Sequence, residues 1–295
     1  MPAVSTTPSG ARRRASAFLT WAGVLPFLVF AVLFLILPTL NIVIGAFRSP
    51  DGHATFDNII ALFSPSILAA FWVSIKLSLI TALLGCLVGF LLAAAVVLGG
   101  LPGWLRGTVL TFSGVASNFA GVPLAFAFIS TLGRVGLVTL LARDWLGVNI
   151  YAIGFNLLTF AGLALTYLYF QIPLMVLIIT PALDGLKKEW REAASILGAT
   201  GPQYWRMVAL PVLWPSLLGT AALLFANSFG AVATAMALTG SNLTLVPIKL
   251  FAQIRGDVLN DPHLGYALAF GMIVLTGAAN LIYIVLRMRA ERWLK

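Results

Sequence analysis

The sequence predicts an all-α integral membrane protein with six transmembrane helices. Of its 295 residues, 60% are hydrophobic and 9% are charged, and the mean hydropathy is +1.01. A soluble domain carries about 25% charged residues, so the composition indicates a bilayer protein. Several apolar runs exceed the roughly 20 residues that a helix needs to cross about 30 Å of hydrocarbon. They place the spans at residues 18–47, 66–98, 107–130, 153–183, 208–238 and 264–287.

The first and third spans need a separate justification. The first follows Arg12, Arg13 and Arg14, as a secretory signal would, but its apolar run is about twice as long as a signal core, so we expect it to be retained. The third is the least apolar, because polar and small residues interrupt it. They are Gly114, Ser117, Asn118, Gly121 and Pro123.

The distribution of basic residues predicts the orientation. With the amino terminus in the cytoplasm, twelve basic residues lie inside: Arg12, Arg13, Arg14, Arg106, Lys187, Lys188, Arg191, Arg206, Arg287, Arg289, Arg292 and Lys295. Five lie outside: Arg48, Arg134, Arg143, Lys249 and Arg255. Positive residues accumulate on the cytoplasmic side of a membrane, so both termini are expected in the cytoplasm. The protein itself is expected in the cell inner membrane.

This division gives a cytoplasmic tail at 1–17, a six-helix domain at 18–288 and a second cytoplasmic tail at 289–295. The net charge of +9 follows from topology and not from nucleic-acid binding, since the basic residues flank lipid-length helices. Two outside loops, 133–151 and 239–263, carry apolar residues at helical spacing and are expected to hold short surface helices.

The one substantial cytoplasmic segment, residues 184–206, is polar and patterned. Trp190, Ala193, Ala194 and Leu197 fall at i, i+3, i+4 and i+7 and form a narrow apolar stripe on a helix. Gly198 is expected to end that helix. Thr200-Gly201-Pro202-Gln203 then matches a capping box that begins a second helix. The stripe either docks on another protein or rests on the chain's own helix ends or on lipid headgroups.

The spacing of this segment resembles the EAA motif in the membrane subunits of binding-protein-dependent ABC importers. The matching residues are Glu192-Ala193-Ala194, Gly198 and Val208-Ala209-Leu210-Pro211, with Val208 where the family has Ile. The resemblance implies a coupling helix pair that docks on a separate ATPase subunit. The expected docking residues are Trp190, Arg191, Glu192, Ala193, Ala194, Leu197, Gly198, Leu210 and Pro211, of which Trp190 and Leu197 come from the stripe.

The resemblance also implies the partners. The chain contains no G-x-x-x-x-G-K-[ST] phosphate loop, so it is expected to bind no cofactor and to leave ATP and Mg²⁺ to the partner. Two ATPase subunits, a second permease subunit, expected to be a different chain, and an external solute-binding protein complete the importer. Because the ATPase is another polypeptide, the chain itself is expected to be no enzyme.

Polar residues inside the predicted spans are candidates for the substrate path. They are Ser113, Ser117, Asn118, Tyr167, Gln171, Asn227 and Ser228, with Tyr169 and Thr234 as weaker candidates. The alternative role for each is hydrogen bonding between helices. Neither catalytic residues nor metal ligands are indicated, because His53 and His263 lie far apart in the sequence and Cys86 is alone.

The expected solute is a polyamine of the spermidine or putrescine type, because the layout resembles polyamine permeases. Iron(III), phosphonate and opine importers are the alternatives within the same class. An ion-coupled secondary transporter is the alternative of another class, but it needs ionisable residues at the midplane, and no Asp or Glu falls inside a predicted span. An intramembrane enzyme needs a pair of catalytic groups at that depth, and the sequence offers none.

Overall fold

The computed structural model describes residues 23–240, 242–255 and 262–291. This part of the chain is helical, apart from turns and one isolated bridge between Arg48 and Ala54. The helices are α1 (Gly23–Ala46), α2 (Asp57–Ala61), α3 (Pro65–Leu98), α4 (Gly103–Asn118), α5 (Gly121–Leu132), α6 (Leu137–Leu146), α7 (Phe160–Asp184), α8 (Lys188–Ile196), α9 (Gly201–Gly230), α10 (Val232–Thr239), α11 (Val246–Arg255) and α12 (Pro262–Glu291).

Helix α7 forms the centre of the bundle. In its most apolar window 61% of the residues are buried, against 6% in α12 and none in α1. It packs against α3, α4 and α9, whereas α1 contacts α12 at the periphery. The outer helices therefore present most of their apolar surface to lipid or to another subunit, as expected for a six-span membrane protein.

The third crossing consists of two helices. By composition alone the segment Gly121–Leu146 is the third apolar span. However, Arg106 pairs with Asp184 at one end of α7, and the Tyr151 hydroxyl, near the other end, donates to the Leu132 carbonyl. The chain thus crosses between residues 106 and 132, by α4 and then α5. The predicted span 107–130 has the right place, but it is broken at Phe119 and Ala120.

Three other predicted boundaries differ from the bounds of the helices. The fifth span, placed at 208–238, is α9, which begins at Gly201 and ends at Gly230, and α10 is a separate helix. The fourth span, placed at 153–183, begins at Phe160, because residues 151–154 form turns. The proposed tail 289–295 begins as part of α12, while the tail 1–17 lies outside the described residues. The short helices expected in the outside loops are present as α6 and α11.

Two π-helical turns lie directly before prolines. Residues Val32–Ile36 precede Pro38, and residues Trp205–Ala209 precede Pro211. Each proline lacks an N–H, and its ring displaces the carbonyl four residues earlier. The preceding residue then bonds five residues back, as the Leu210 N–H does to the Trp205 carbonyl. Both helices therefore continue through their prolines.

Close contact between α3 and α7 depends on glycine. A Cβ atom on Gly89 would lie 2.6 Å from the Met175 Cβ and 2.8 Å from the Ile172 carbonyl oxygen, and a Cβ on Gly85 would lie 3.0 Å from the Gln171 Cβ. Side chains at these positions would push the two central helices apart. The Gly85-x-x-x-Gly89 sequence thus acts as a packing surface.

We expect Gly89→Val to destabilise the protein by about 1–3 kcal/mol, because the added atoms meet backbone that has no room to move. Gly277→Val is the matched control, since no atom lies within 4 Å of a Cβ built at that α12 position. Thermal unfolding of both variants in mild detergent measures the difference. Equal stability of the two variants would contradict the packing role of Gly89.

Candidate functional site

Helix α8 ends in a complete Schellman motif. The Gly198 N–H donates to the Ser195 carbonyl and the Ala199 N–H donates to the Ala194 carbonyl. Gly198 has φ +79°, in the left-handed region where a side chain is unfavourable. The prediction that Gly198 ends this helix is confirmed, and the backbone turns sharply there towards α9.

The predicted capping box at the start of α9 is confirmed as well. Thr200 is the N-cap, and its backbone N–H donates to the Gln203 Oε1 at 2.7 Å, while its hydroxyl reaches the same oxygen at 3.0 Å. The second helix of the segment 184–206 is, however, not a separate short helix. It is the first turn of α9, so the corner at Gly198 connects α8 directly to a membrane-spanning helix.

Helix α8 projects from the rest of the chain. No residue of α8 is buried, and only Ala194 is half-buried. Glu189, Glu192, Ala193 and Ile196, at i, i+3, i+4 and i+7, form one exposed surface, which we call the α8 outer face. Ile196 is 86% exposed and the adjoining Leu197 is 85% exposed. Two large apolar side chains in this position have no partner within the described part of the chain.

The predicted apolar stripe is divided between two surfaces. Ala193 lies on the outer face and Leu197 is exposed beside it, whereas Ala194 is half-buried and the Lys187 ammonium lies 6.0 Å above the Trp190 ring. Arg191 points away from the outer face and lines a pocket at the base of α8. Ile196 was missed, although its spacing from Glu192 and Ala193 is visible in the sequence.

The base of α8 is fixed to the bundle at two points. Asp184, the last residue of α7, accepts a 2.6 Å bond from the Arg106 guanidinium of α4. Trp205 packs edge-on against Phe90 of α3, with the ring centroids 6.1 Å apart. Leu210 and Pro211 lie further along α9, where the helix enters the bundle and Ala209 is fully buried. The outer face is thus held at the end of the bundle where α3, α7 and α9 meet.

Three of the predicted path residues are used between helices. The Tyr167 hydroxyl donates to the Ala231 carbonyl at 2.6 Å, and the Gln171 amide donates to the Leu224 carbonyl at 2.8 Å. The Ser228 hydroxyl lies 2.8 Å from that of Thr81. All three side chains are buried, which is the structural role considered above as the alternative. Gln171 keeps one acceptor free, because its Oε1 has no partner among the described residues.

Ser117 and Asn227 line the same pocket, of about 380 Å³. The pocket lies between the break in the third crossing and the break after α9. Asn118 is exposed next to it and donates to the Gly114 carbonyl. Ser113 is buried and lines a different, mainly apolar pocket of about 620 Å³, together with Tyr169. The structure therefore brings together Ser117 and Asn227 but not all seven predicted residues.

The two helix breaks are joined by hydrogen bonds. The Gly121 N–H, at the start of α5, donates to the Thr234 hydroxyl oxygen of α10 at 2.8 Å. Gly121 has φ +75°, which allows the chain to restart a helix directly after the break. Together with the Tyr167–Ala231 bond, this contact satisfies backbone groups that would otherwise be exposed to hydrocarbon.

No metal site is indicated in the described ranges. They contain no group of three or more His, Cys, Asp or Glu side chains close enough to hold an ion. The site is therefore one of surfaces and pockets: a projecting polar helix at one end of a six-span bundle, and a small pocket between broken helices inside it. These features define a transport protein.

The chain belongs to the family described as binding-protein-dependent transport system inner membrane component, whose profile matches residues 92–295. It is therefore the permease subunit of a type I ABC importer and a multi-pass protein of the inner membrane. The resemblance inferred from Glu192-Ala193-Ala194 and Gly198 is confirmed at this level. Membership of the family decides against an ion-coupled secondary transporter.

Two relatives are sulfate permeases. The chain is 24% identical over 222 residues to the probable sulfate transport system permease protein of Chlorella vulgaris, which covers 75% of this chain and 79% of the relative. It is 27% identical over 216 residues to the sulfate transport system permease protein of Salmonella typhimurium, covering 72% and 73%. The expected polyamine-type relationship is not confirmed by these names.

The fold also matches a solved importer. A chain of a bacterial alginate ABC transporter, in complex with an alginate pentasaccharide-bound periplasmic protein, is 18% identical and superposes with a TM-score of 0.73. The match covers 92% of this chain and 94% of the other. The likeness establishes the permease fold.

We expect Gly198→Val to loosen the corner between α8 and α9, because a left-handed conformation costs an L-residue about 1–2 kcal/mol. Gly198→Asn is the matched control, since Asn tolerates this conformation best among residues with a side chain. Hydrogen exchange of the α8 amides in the purified protein gives the measurement. Unchanged protection of α8 in the Val variant would contradict the role of the glycine.

Proposed function

We propose that the α8 outer face is the docking surface for a separate ATPase subunit and that α9 carries its movement into the membrane. The observation that supports this most directly is the exposure of Ile196 and Leu197 on a projecting helix. Contiguous exposed apolar surface bordered by charge is typical of protein interfaces. Glu189 and Glu192 border it and would set the register through charge-assisted hydrogen bonds.

The remaining predicted docking residues have structural roles in this arrangement. Gly198 makes the corner that presents the outer face, and Leu210 and Pro211 lie where α9 returns to the membrane. Ala193 lies within the outer face and permits close approach of a partner backbone. Trp190 and Arg191 lie at its edge and behind it, so we propose that they position α8 and leave the docking contact to the outer face.

Helix α9 supplies a direct mechanical connection. It runs from the corner at Gly201 to Gly230, beside the pocket that Ser117 and Asn227 line. Thirty residues at 1.5 Å each span about 45 Å. A displacement of α8 by the ATPase therefore reaches the internal pocket through one helix. ATP and Mg²⁺ would act only on the partner subunits, whose closure on nucleotide moves the paired coupling helices.

The chain supplies only one such coupling helix. A two-fold importer consequently requires a second permease subunit, which we propose is a different chain, and two ATPase subunits. We further propose that an external solute-binding protein delivers the solute at the opposite end, as the periplasmic protein in the alginate transporter complex suggests. The orientation that we propose, with both termini and α8 in the cytoplasm, is supported by the twelve basic residues that the sequence assigns to that side.

We expect Ile196→Glu and Glu192→Lys each to insert normally and to lose co-purification with the ATPase subunit and solute uptake. The first change places a charge in an apolar contact, and the second reverses the charge that sets the register. Ile153→Glu is the matched control for co-purification with the ATPase, because Ile153 is 75% exposed at the opposite end of the bundle, away from α8. Normal uptake by either α8 variant would contradict the docking proposal.

For the solute, we propose a small oxyanion of the sulfate type in place of the expected polyamine. The names of the relatives support this, and so does the charge inside the bundle. In the described spans the only acidic residues, Asp184 and Glu291, are the last residues of their helices. A polyamine cation would find no carboxylate at depth. The starts of α5 and α10, which carry partial positive charge, border the internal pocket instead.

We expect ATP-dependent uptake of radiolabelled sulfate into vesicles that contain the whole transporter. Excess unlabelled spermidine should leave the rate unchanged, because nothing in the described spans neutralises its charge. Asn227→Asp is a further variant, and the added carboxylate beside the pocket should slow sulfate uptake at least tenfold. Uptake of labelled spermidine, with no uptake of sulfate, would support a polyamine as the solute and overturn this proposal.

A further inference from the structure

A pocket of about 500 Å³ lies at the base of α8, behind the outer face. It is formed by the last turns of α3, the start of α8 and the first turns of α9. Its volume lies within the range of about 300–1,000 Å³ that small-molecule sites occupy. Neither Glu192, Ala193 nor Ile196 lines it, so its surface is distinct from the proposed ATPase contact.

The pocket has two chemically different halves. Ala94, Val97 and Leu98 of α3 form an apolar half, where the helix ends and the chain leaves the hydrocarbon through Gly99 and Gly100. Lys187, Lys188 and Arg191 form a basic half. A ligand that fills the pocket must therefore carry an anionic group at one end and an apolar group at the other.

The positive charges of the basic half are not engaged in ion pairs with the described residues around them. Lys187, Lys188 and Arg191 form no ion pair in the described part of the chain. The nearest acidic residue of α7, Asp184, is already paired with Arg106. Three positive charges around one pocket attract a phosphate strongly, since basic pockets at the cytoplasmic ends of membrane helices bind lipid headgroups.

Aromatic residues complete the lining of the pocket. Tyr204 and Trp205 line the pocket, and Tyr204 is buried while Trp205 packs against Phe90. Tyrosine and tryptophan favour the level of the headgroups, where an apolar ring and a polar edge are both satisfied. Their position indicates that the pocket lies at the membrane surface, with its apolar half continuous with the hydrocarbon.

We propose that this pocket binds the phosphate of an anionic phospholipid. The part of an acyl chain nearest the headgroup would lie against Ala94, Val97 and Leu98. A free phosphate would use only the basic half, and an acidic protein segment would not reach the apolar half, which belongs to a membrane span. The lipid would bridge the end of α3 and the start of α8. It would thereby hold the coupling helix in position before any ATPase subunit docks.

The test uses the full-length chain in mild detergent, with lipid retention measured by native mass spectrometry. Phosphatidylglycerol should be retained in preference to phosphatidylcholine. Lys187→Gln and Lys188→Gln should each weaken phosphatidylglycerol binding about fivefold, and the double variant about 25-fold, as expected for the loss of basic residues at an anionic surface. Arg206→Gln is the matched control, because Arg206 is exposed nearby and does not line the pocket. It should change binding less than twofold.

Three outcomes would overturn the proposal. Equal retention of phosphatidylglycerol and phosphatidylcholine would show that the pocket does not select lipids by headgroup charge. Displacement of phosphatidylglycerol by inorganic phosphate at equal concentration would indicate a free-anion site. Reduced ATPase co-purification by the Lys187 and Lys188 variants, with unchanged lipid retention, would assign the basic half to the ATPase. Thermal unfolding in neutral detergent controls for folding, and the lipid-retention readouts do not require the ATPase docking proposal to be correct.

Discussion

The architecture depends on one constraint: a backbone N–H or C=O group at membrane depth has to find its partner within the protein. Two of the crossings are broken, after Asn118 and after Gly230, and both breaks leave such groups without a helical partner. Thr234 accepts from the Gly121 N–H and Tyr167 donates to the Ala231 carbonyl, at 2.8 and 2.6 Å. Side chains on neighbouring helices thus make an irregular backbone possible. The small pocket lies between the two breaks that these hydrogen bonds stabilise.

At the other end of α9, the groups that need a partner are apolar and not polar. Helix α8 lies outside the bundle, where water can hydrogen-bond to polar groups. Its exposed apolar residues Ile196 and Leu197 are therefore the unfavourable feature. The Schellman motif at Gly198 and the capping box at Thr200 turn the chain by hydrogen bonding alone. The corner is short and its backbone groups are hydrogen-bonded, so we expect α8 and α9 to move together. The proposed docking surface would thereby be coupled to a membrane helix by local structure.

The two sides of α8 have different chemical environments. The outer face combines carboxylates with apolar side chains and suits a protein surface. The opposite side combines Lys187, Lys188 and Arg191 with the apolar end of α3 and suits a lipid. In the proposed arrangement α8 lies between a soluble subunit and the membrane surface and can respond to both. The family relationship establishes the permease, whereas the roles proposed for the two faces rest on the charges and exposure of this chain.

The sequence by itself determined the number of spans and the corner at Gly198, because these follow from apolar length and local capping. The place of Leu197 in the apolar stripe and of Gly198 at the helix end could be predicted from spacing alone. Only the tertiary structure decided that Tyr167, Gln171 and Ser228 form hydrogen bonds between helices, while Ser117 and Asn227 line one pocket. The sequence cannot separate these roles, because a polar residue in an apolar span has the same local pattern in both. Likewise, the breaks at Phe119 and Ala231 depend on partners far along the chain, which no local pattern contains.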